Sequence, residues 1–95
     1  MPKSYLVARA TVTDPARWGK YIAKSNIAIG KYGGRPLVRG GRHAVVEGDG
    51  APRNIVIEFE SYEAALRYAN SVEYADAKLL REEAGSMHIT IVEGV

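Results

Sequence analysis

Arg53-Asn54-Ile55-Val56-Ile57-Glu58-Phe59-Glu60 is the stretch on which the fold turns. Side chains of an extended chain alternate between two faces, so Ile55, Ile57 and Phe59 share one side, and Val56, Glu58 and Glu60 share the other. That is a strand with one apolar face and one mixed face. Working outward, Gly48-Asp49-Gly50-Ala51-Pro52 before it is a turn cluster. Upstream lie two short strand candidates, Pro36–Gly40 and His43–Glu47, divided by Gly40-Gly41. Downstream, Ser61 is placed to cap a helix over Tyr62–Asn70, with Glu63 in its first turn. Ser71 opens a further helical stretch to Glu83, Gly85 closes it, and Ser86–Val92 reads as the last strand.

The N-terminal part follows the same logic. Residues 4–12 are rich in β-formers and predict the first strand. Asp14-Pro15 is a helix start, since Asp accepts from free backbone N–H groups and Pro suits the first helical position. Trp18, Tyr21, Ile22, Ser25, Ile29 and Tyr32 then recur at helical spacing until Gly33-Gly34. The order is β-α-β-(β)-β-α-α-β. Without the small hairpin, this is the split β-α-β-β-α-β arrangement of an α+β, ferredoxin-like domain, one unit over residues 1–95.

Sorting all strand residues by parity sharpens the picture. Leu6, Ala8, Ala10, Val12, Ile55, Ile57, Phe59, Met87, Ile89 and Ile91 make one continuous apolar face for the helices to cover. The opposite face carries Tyr5, Val7, Arg9, Thr11, Val56, Glu58, His88, Thr90 and Val92. It suits either a water-facing antiparallel sheet or contact with the sheet of a second copy. The latter is favoured, because so small a domain buries only roughly two thirds of the surface its unfolded chain exposes. Tyr5, Arg9 and His88 are the expected interface residues. Ferredoxin-like topology brings Arg9, Glu58 and His88 into one cluster on that face.

Composition narrows the function classes. The 95 residues are 46% hydrophobic and 25% charged, with no cysteine, which removes disulfides, thiol catalysis and Cys-based metal sites. His43 and His88 are too few and too separated for a metal site, and no cofactor is expected. Residues 1–57 carry ten basic against three acidic side chains, and residues 58–95 carry three against eight. No run of like charge forms a binding tail, so two halves facing each other explain the asymmetry better than nucleic acid does. An RNA-recognition sheet needs exposed aromatics and a Lys/Arg-Gly-aromatic motif in its third strand. This one offers two carboxylates there. No apolar run is long enough for a membrane helix and no signal-peptide pattern is visible, so the expected address is the cytoplasm.

At this point a resemblance enters. Lys31-Tyr-Gly-Gly-Arg-Pro-Leu-Val-Arg-Gly-Gly41, Glu47-Gly-Asp49, Ile55-Val-Ile-Glu-Phe-Glu-Ser61, Ser71-Val-Glu-Tyr74 and the early Val12–Pro15 turn stand in one order. In these motifs the chain resembles the domain-of-unknown-function 1330 family. The resemblance implies a ferredoxin-like subunit of the dimeric α+β-barrel superfamily, whose members include cofactor-independent monooxygenases, isomerases and ligand binders. Tyr68, Ala69 and Val72 depart from the family pattern, which has larger aromatics at the first two positions and Pro at the third. The departure implies a pocket that is wider or differently selective.

Four residues carry the candidate chemistry. Arg39 can clamp a carboxylate or phosphate, or form an ion pair with Glu58. Glu58, a carboxylate in an apolar strand, is the candidate proton-transfer group, or else a salt-bridged one. Ser71 and Tyr74, one helical turn apart, can hydrogen-bond a ligand; Ser71 is equally a helix cap. The expectation is a homodimer binding a small organic, anionic ligand between sheet and helices, in a site rimmed by Arg39, Glu58, Ser71 and Tyr74. The alternatives are a cofactor-independent enzyme using Glu58 and Arg39, and a structural dimer without a ligand.

Overall fold

The computed structural model describes residues 2–95. Seven elements follow one another: β1 (Ser4–Val12), α1 (Pro15–Lys31), β2 (Arg35–Arg39), β3 (Arg53–Phe59), α2 (Tyr62–Ala69), α3 (Val72–Leu79) and β4 (Gly85–Glu93). The four strands form one antiparallel sheet in the order β2-β3-β1-β4. This is the α+β, ferredoxin-like arrangement expected from the element order. The molecule is flat, 37 × 34 × 17 Å, with the three helices packed on one side of the sheet.

Helix boundaries follow from their caps. Asp14 accepts a hydrogen bond from the Arg17 N–H at 3.2 Å, with Pro15 in the first turn. Ser61 does the same for α2 through the Ala64 N–H at 3.1 Å, and Ser71 for α3 through the Tyr74 N–H at 3.0 Å. The last helix stops at Leu79 rather than reaching Glu83. Residues 80–83 turn instead, with Glu83 left-handed at φ 63° and the Ala84 N–H donating to the Arg81 carbonyl.

The apolar face is the one read from parity. Leu6, Ala8, Ala10, Ile57 and Phe59 are buried, and Val12, Ile55, Met87, Ile89 and Ile91 pack half-buried against them. From the helices Trp18, Tyr21, Ala28, Ile29, Ala65, Tyr68, Tyr74 and Ala77 complete the core. Two expectations need correction. His43–Glu47 forms no strand: Val45 and Val46 stand 54% and 94% exposed with no apolar surface to alternate against. Arg9, Glu58 and His88 do not cluster. Arg9 is opposite His88 and Asn54, whereas Glu58 lies four residues along β3, opposite Tyr5 and Arg35, with Lys3 Nζ 3.2 Å from its carboxylate.

Gly34 is a packing requirement. A Cβ there would meet Ile29 Cγ2 at 2.7 Å and the Phe59 ring at 2.9 Å, whereas one on Gly30 meets nothing within 4 Å. Gly34→Ala should therefore destabilise the fold by about 1–3 kcal/mol through overpacking. Gly30→Ala, in an open helical position, should stabilise it by about 0.5–1 kcal/mol. Urea denaturation of the two variants beside the parent chain measures both, and equal effects would contradict the packing shown here.

Candidate active site or ligand cavity

Between the sheet and the three helices lies a cavity of about 70 Å³. Its origin is a size mismatch on the sheet. On β1, Ala8 stands between Ile55 of β3 and Ile89 of β4, so the central strand contributes a methyl group where its neighbours contribute full aliphatic side chains. Ile29, Ile22 and Tyr21 of α1 roof this gap, and Tyr68 and Tyr74 close one side.

The polar groups of the cavity are few and converge. The Tyr21 and Tyr74 hydroxyls are 3.3 Å apart, and the Tyr21 hydroxyl donates to the Met87 sulfur at 3.7 Å. Either hydroxyl can donate across the Tyr21–Tyr74 pair. Burial pushes the Tyr21 and Tyr68 phenols well above their ordinary range, and Tyr74 beside them adds to the shift. These hydroxyls are therefore neutral donors at physiological pH. Trp18, Tyr21, Tyr74, Tyr68 and Phe59 form a chain of ring contacts with centroids 5.2–6.4 Å apart, which fixes where the hydroxyls point.

Arg39 is the one charged residue lining the cavity among the described residues. Simple alternation from Pro36 would put it on the far side of the sheet. A register shift between Pro36 and Val38 reverses this, so Pro36 pairs with Ile57 and Arg39 pairs with Ile55, both on the helix-facing side. Arg39 remains exposed and stands at the rim. The bulge was not visible in the sequence; the adjacent Gly40-Gly41 is the nearest signal to it.

The four expected rim residues are therefore not brought together. Arg39 and Tyr74 line the cavity. Glu58 is on the opposite sheet face, opposite Arg35, and its carboxylate accepts from Lys3. An Arg39–Glu58 pair or shared pocket is thus excluded, because strand parity puts the two on different faces. Ser71 is consumed by structure: its Oγ accepts from the Tyr74 N–H at 3.0 Å and donates to the Tyr68 carbonyl at 2.7 Å. It positions both tyrosines and touches no ligand space. The residue sequence reasoning missed is Tyr21, whose helical spacing marks it only as core; Tyr68, read as a departure from the family pattern that bears on a pocket, lines the cavity. Among the described residues there is no cluster of three metal-ligating side chains, and no helix is long and apolar enough to cross a membrane.

The family model described as domain of unknown function DUF1330 matches residues 3–95. The chain belongs to this family. No curated protein matches the DUF1330 chain in sequence. Among solved structures it is similar to the RPA0582 protein of unknown function from Rhodopseudomonas palustris, at 12% identity and TM-score 0.76, covering 99% of this chain and 83% of that one. It is also similar to SnoaB, a cofactor-independent oxygenase from Streptomyces nogalater, at 12% identity and TM-score 0.63, covering 100% and 95%. A dimeric protein of unknown function and ferredoxin-like fold from Bacteroides fragilis matches at 14% identity and TM-score 0.51, covering 97% and 96%. At such identities these likenesses establish the fold that DUF1330 chains share with them.

Above the cavity, Glu73 at the start of α3 ties that helix to the end of α1. It pairs with Lys31 and accepts from the Tyr32 hydroxyl at 2.9 Å. The Lys31 hydrogen bond, then its own backbone N–H and Tyr32, hold its carboxyl at about 2, against an ordinary value of 4.5. A carboxyl depressed on folding stabilises the folded state above its unfolded pKa, and loses that contribution as pH falls towards the folded one. Glu73→Gln should therefore be less stable than the parent chain at pH 6, with the gap closing between pH 4.5 and about 2. Urea midpoints of the two chains across that window test this; a gap independent of pH would exclude a role for the Glu73 charge.

Proposed function

We propose that this chain is a homodimeric binding protein for a small organic ligand, seated in the cavity with Arg39 at its mouth and Tyr74 within. The observation that carries this reading is the β2 bulge. It turns a guanidinium toward an otherwise apolar, tyrosine-lined cavity, which is the pattern of a binding site rather than of a core. The cavity, about 70 Å³, is open on the Arg39 side, so a ligand with its inner end among the tyrosines can extend outward past Arg39. A carbonyl or ether oxygen at the inner end is a better acceptor for the Tyr74 hydroxyl than Tyr21 is.

A cofactor-independent enzyme is the second reading, favoured by the likeness to the SnoaB oxygenase. On this chain its proton-transfer groups would be the cavity tyrosines and not Glu58. The described cavity lining holds no carboxylate or imidazole. Burial holds Tyr21 and Tyr68 neutral, which suits donating to a developing oxyanion rather than abstracting a proton.

The dimer reading rests on the uncovered sheet face. Val7, Val38 and Val92 are 38%, 42% and 49% exposed, and with Val56 and Tyr5 they form an apolar patch over half of that face. A second copy meets this half, with Tyr5 in the contact and Arg9 and His88 at its border. The dimeric Bacteroides fragilis relative supports the arrangement.

Two experiments follow. Native mass spectrometry of the gently purified chain should reveal a bound small molecule that is lost in Arg39→Met and in the cavity-filling Ala8→Val. A bare protein mass in parent and variants alike would sink the ligand reading. Sedimentation at micromolar concentration should show a dimer that Val7→Lys dissociates. A single 10.3 kDa species for the parent chain refutes dimerisation.

A further inference from the structure

β4 is an edge strand, and α2 and α3 leave part of its helix-facing side uncovered. Met87, Ile89 and Ile91 are only half-buried there, whereas their partners on β1, Ala10, Ala8 and Leu6, are buried. An open groove of about 570 Å³ follows this apolar strip, with Leu66 and Tyr62 of α2 on its other side. Its two ends differ. Phe59 is level with Ser4 and Glu93, so α2, which starts at Tyr62, begins beside the Ile91 end. At the Met87 end stand Lys78, in the last turn of α3, and Arg81, in the turn that follows. Tyr21 ties Arg81 to that end, since its ring lies under the guanidinium and its hydroxyl reaches the Met87 sulfur. Among the described residues, the lining holds these two cations and no carboxylate.

Arg81 is the unusual group. It is half-buried, its guanidinium carbon stands 6.0 Å from the Trp18 ring centre and 5.5 Å from that of Tyr21, and its Nε is buried without a hydrogen-bond partner. The ion pairs among the described residues, Lys3–Glu58 and Lys31–Glu73, do not include it, and the adjoining Glu82 and Glu83 are exposed. Aromatic faces hold a guanidinium in place without neutralising it. A partly desolvated charge with no counter-charge is costly, and a carboxylate seated against it offsets that cost through a charge-assisted pair. The strip leading away from this charge suits a tail that gains by leaving water. From Met87 to Ile91 it spans about 13 Å, at about 3.3 Å per residue.

We propose that the groove between α2, α3 and β4 binds a monocarboxylate with an extended apolar tail, its head on Arg81 and Lys78 and its tail along Met87, Ile89 and Ile91. None of the residues given to the second copy lines this groove, which is on the helix side of the sheet. Dimer and groove are therefore compatible. The groove shares Tyr74, Met87 and Ile89 with the ligand cavity, but Arg39 is not part of it, and its occupancy does not depend on the cavity's.

Trp18 is the only tryptophan of the chain and lies against Arg81, so its fluorescence reports on the head-group end. The test is a titration of the intact chain with decanoate at neutral pH, where the carboxylate is ionised, below the micellar range, by fluorescence and by calorimetry. Decanol supplies the tail without the charge, and butyrate the charge without the tail. Expected is saturable decanoate binding, with decanol at least about tenfold weaker for want of the charge-assisted pair. Butyrate should be weaker by at least about tenfold as well, for want of buried methylenes. Arg81→Gln should weaken decanoate at least about tenfold. Lys78 is exposed and outside the ion pairs, so Lys78→Glu keeps the fold and should weaken decanoate while leaving decanol unchanged. Arg39→Met, which alters the cavity mouth alone, should bind decanoate as the parent chain does. Non-saturating decanoate shifts, or decanol binding as tightly as decanoate, overturn the proposal. Decanoate affinity that falls in Arg39→Met and is unchanged in Lys78→Glu places the carboxylate in the cavity instead, and overturns it too.

Discussion

β1 is hydrogen-bonded along both edges, to β3 and to β4, and the rest of the molecule is arranged around that double pairing. Because side chains alternate with a period of two, a slip of one residue would send Leu6, Ala8 and Ala10 to the open face and bring Val7, Arg9 and Thr11 under the helices. The helices have no carboxylate in the core to meet a buried Arg9, and an uncompensated buried charge costs several kcal/mol. Register is therefore held by an electrostatic penalty as well as by apolar burial. Once β1 is fixed, its neighbours inherit their faces from it, and α1, α2 and α3 have only one side of the sheet to cover.

The same strand explains why the protein has a cavity at all. Small residues recur on its inner face, Ala8 and Ala10, between longer side chains of β3 and β4. Tyr21, Tyr68 and Tyr74 bridge the resulting gap from above, and rings locked by mutual contact cannot collapse into it. Ser71 sets the spacing between two of these rings by bonding the backbone of both Tyr68 and Tyr74. A single hydroxyl thus serves as a helix cap and as a positioning group for the cavity wall. Arg39 reaches the rim by a different device, one irregularity in the pairing of an edge strand.

How far the sequence discloses this depends on the range of the interaction responsible. The caps at Asp14, Ser61 and Ser71 and the inner face of the sheet are set by neighbours within a few residues or by strict alternation, and both are legible. The strand expected at His43–Glu47 has suitable alternation, but a strand also needs an apolar surface to alternate against, which a local pattern does not reveal. Opposite charge makes an Arg39–Glu58 pair readable from sequence, but which faces the two occupy depends on strand register. The bulge shifts the parity of Arg39 and leaves that of Glu58 alone, so the two end on opposite faces. Tyr21 shows the converse: its helical spacing reveals that it is buried, and only packing reveals that it shares a space with Arg39.

The charge asymmetry between the two halves of the chain is resolved in the fold only in part. Both ion pairs among the described residues, Lys3–Glu58 and Lys31–Glu73, join a basic residue of the first half to an acid of the second. The remaining acids of the second half sit largely on α2, α3 and the turns around them, where helix N-termini and solvent stabilise them. Arg9, Arg35, Arg39, Arg42 and Arg53 lie on the sheet or the segment beyond β2, without ion-pair partners among the described residues. Surplus positive charge is thus concentrated on the sheet, at the mouth of the cavity and on the polar half of the open face. The helices and their turns carry their own basic residues, Arg17, Lys20, Lys24, Arg67, Lys78 and Arg81, beside their acids, so a net charge near neutrality conceals the concentration on the sheet.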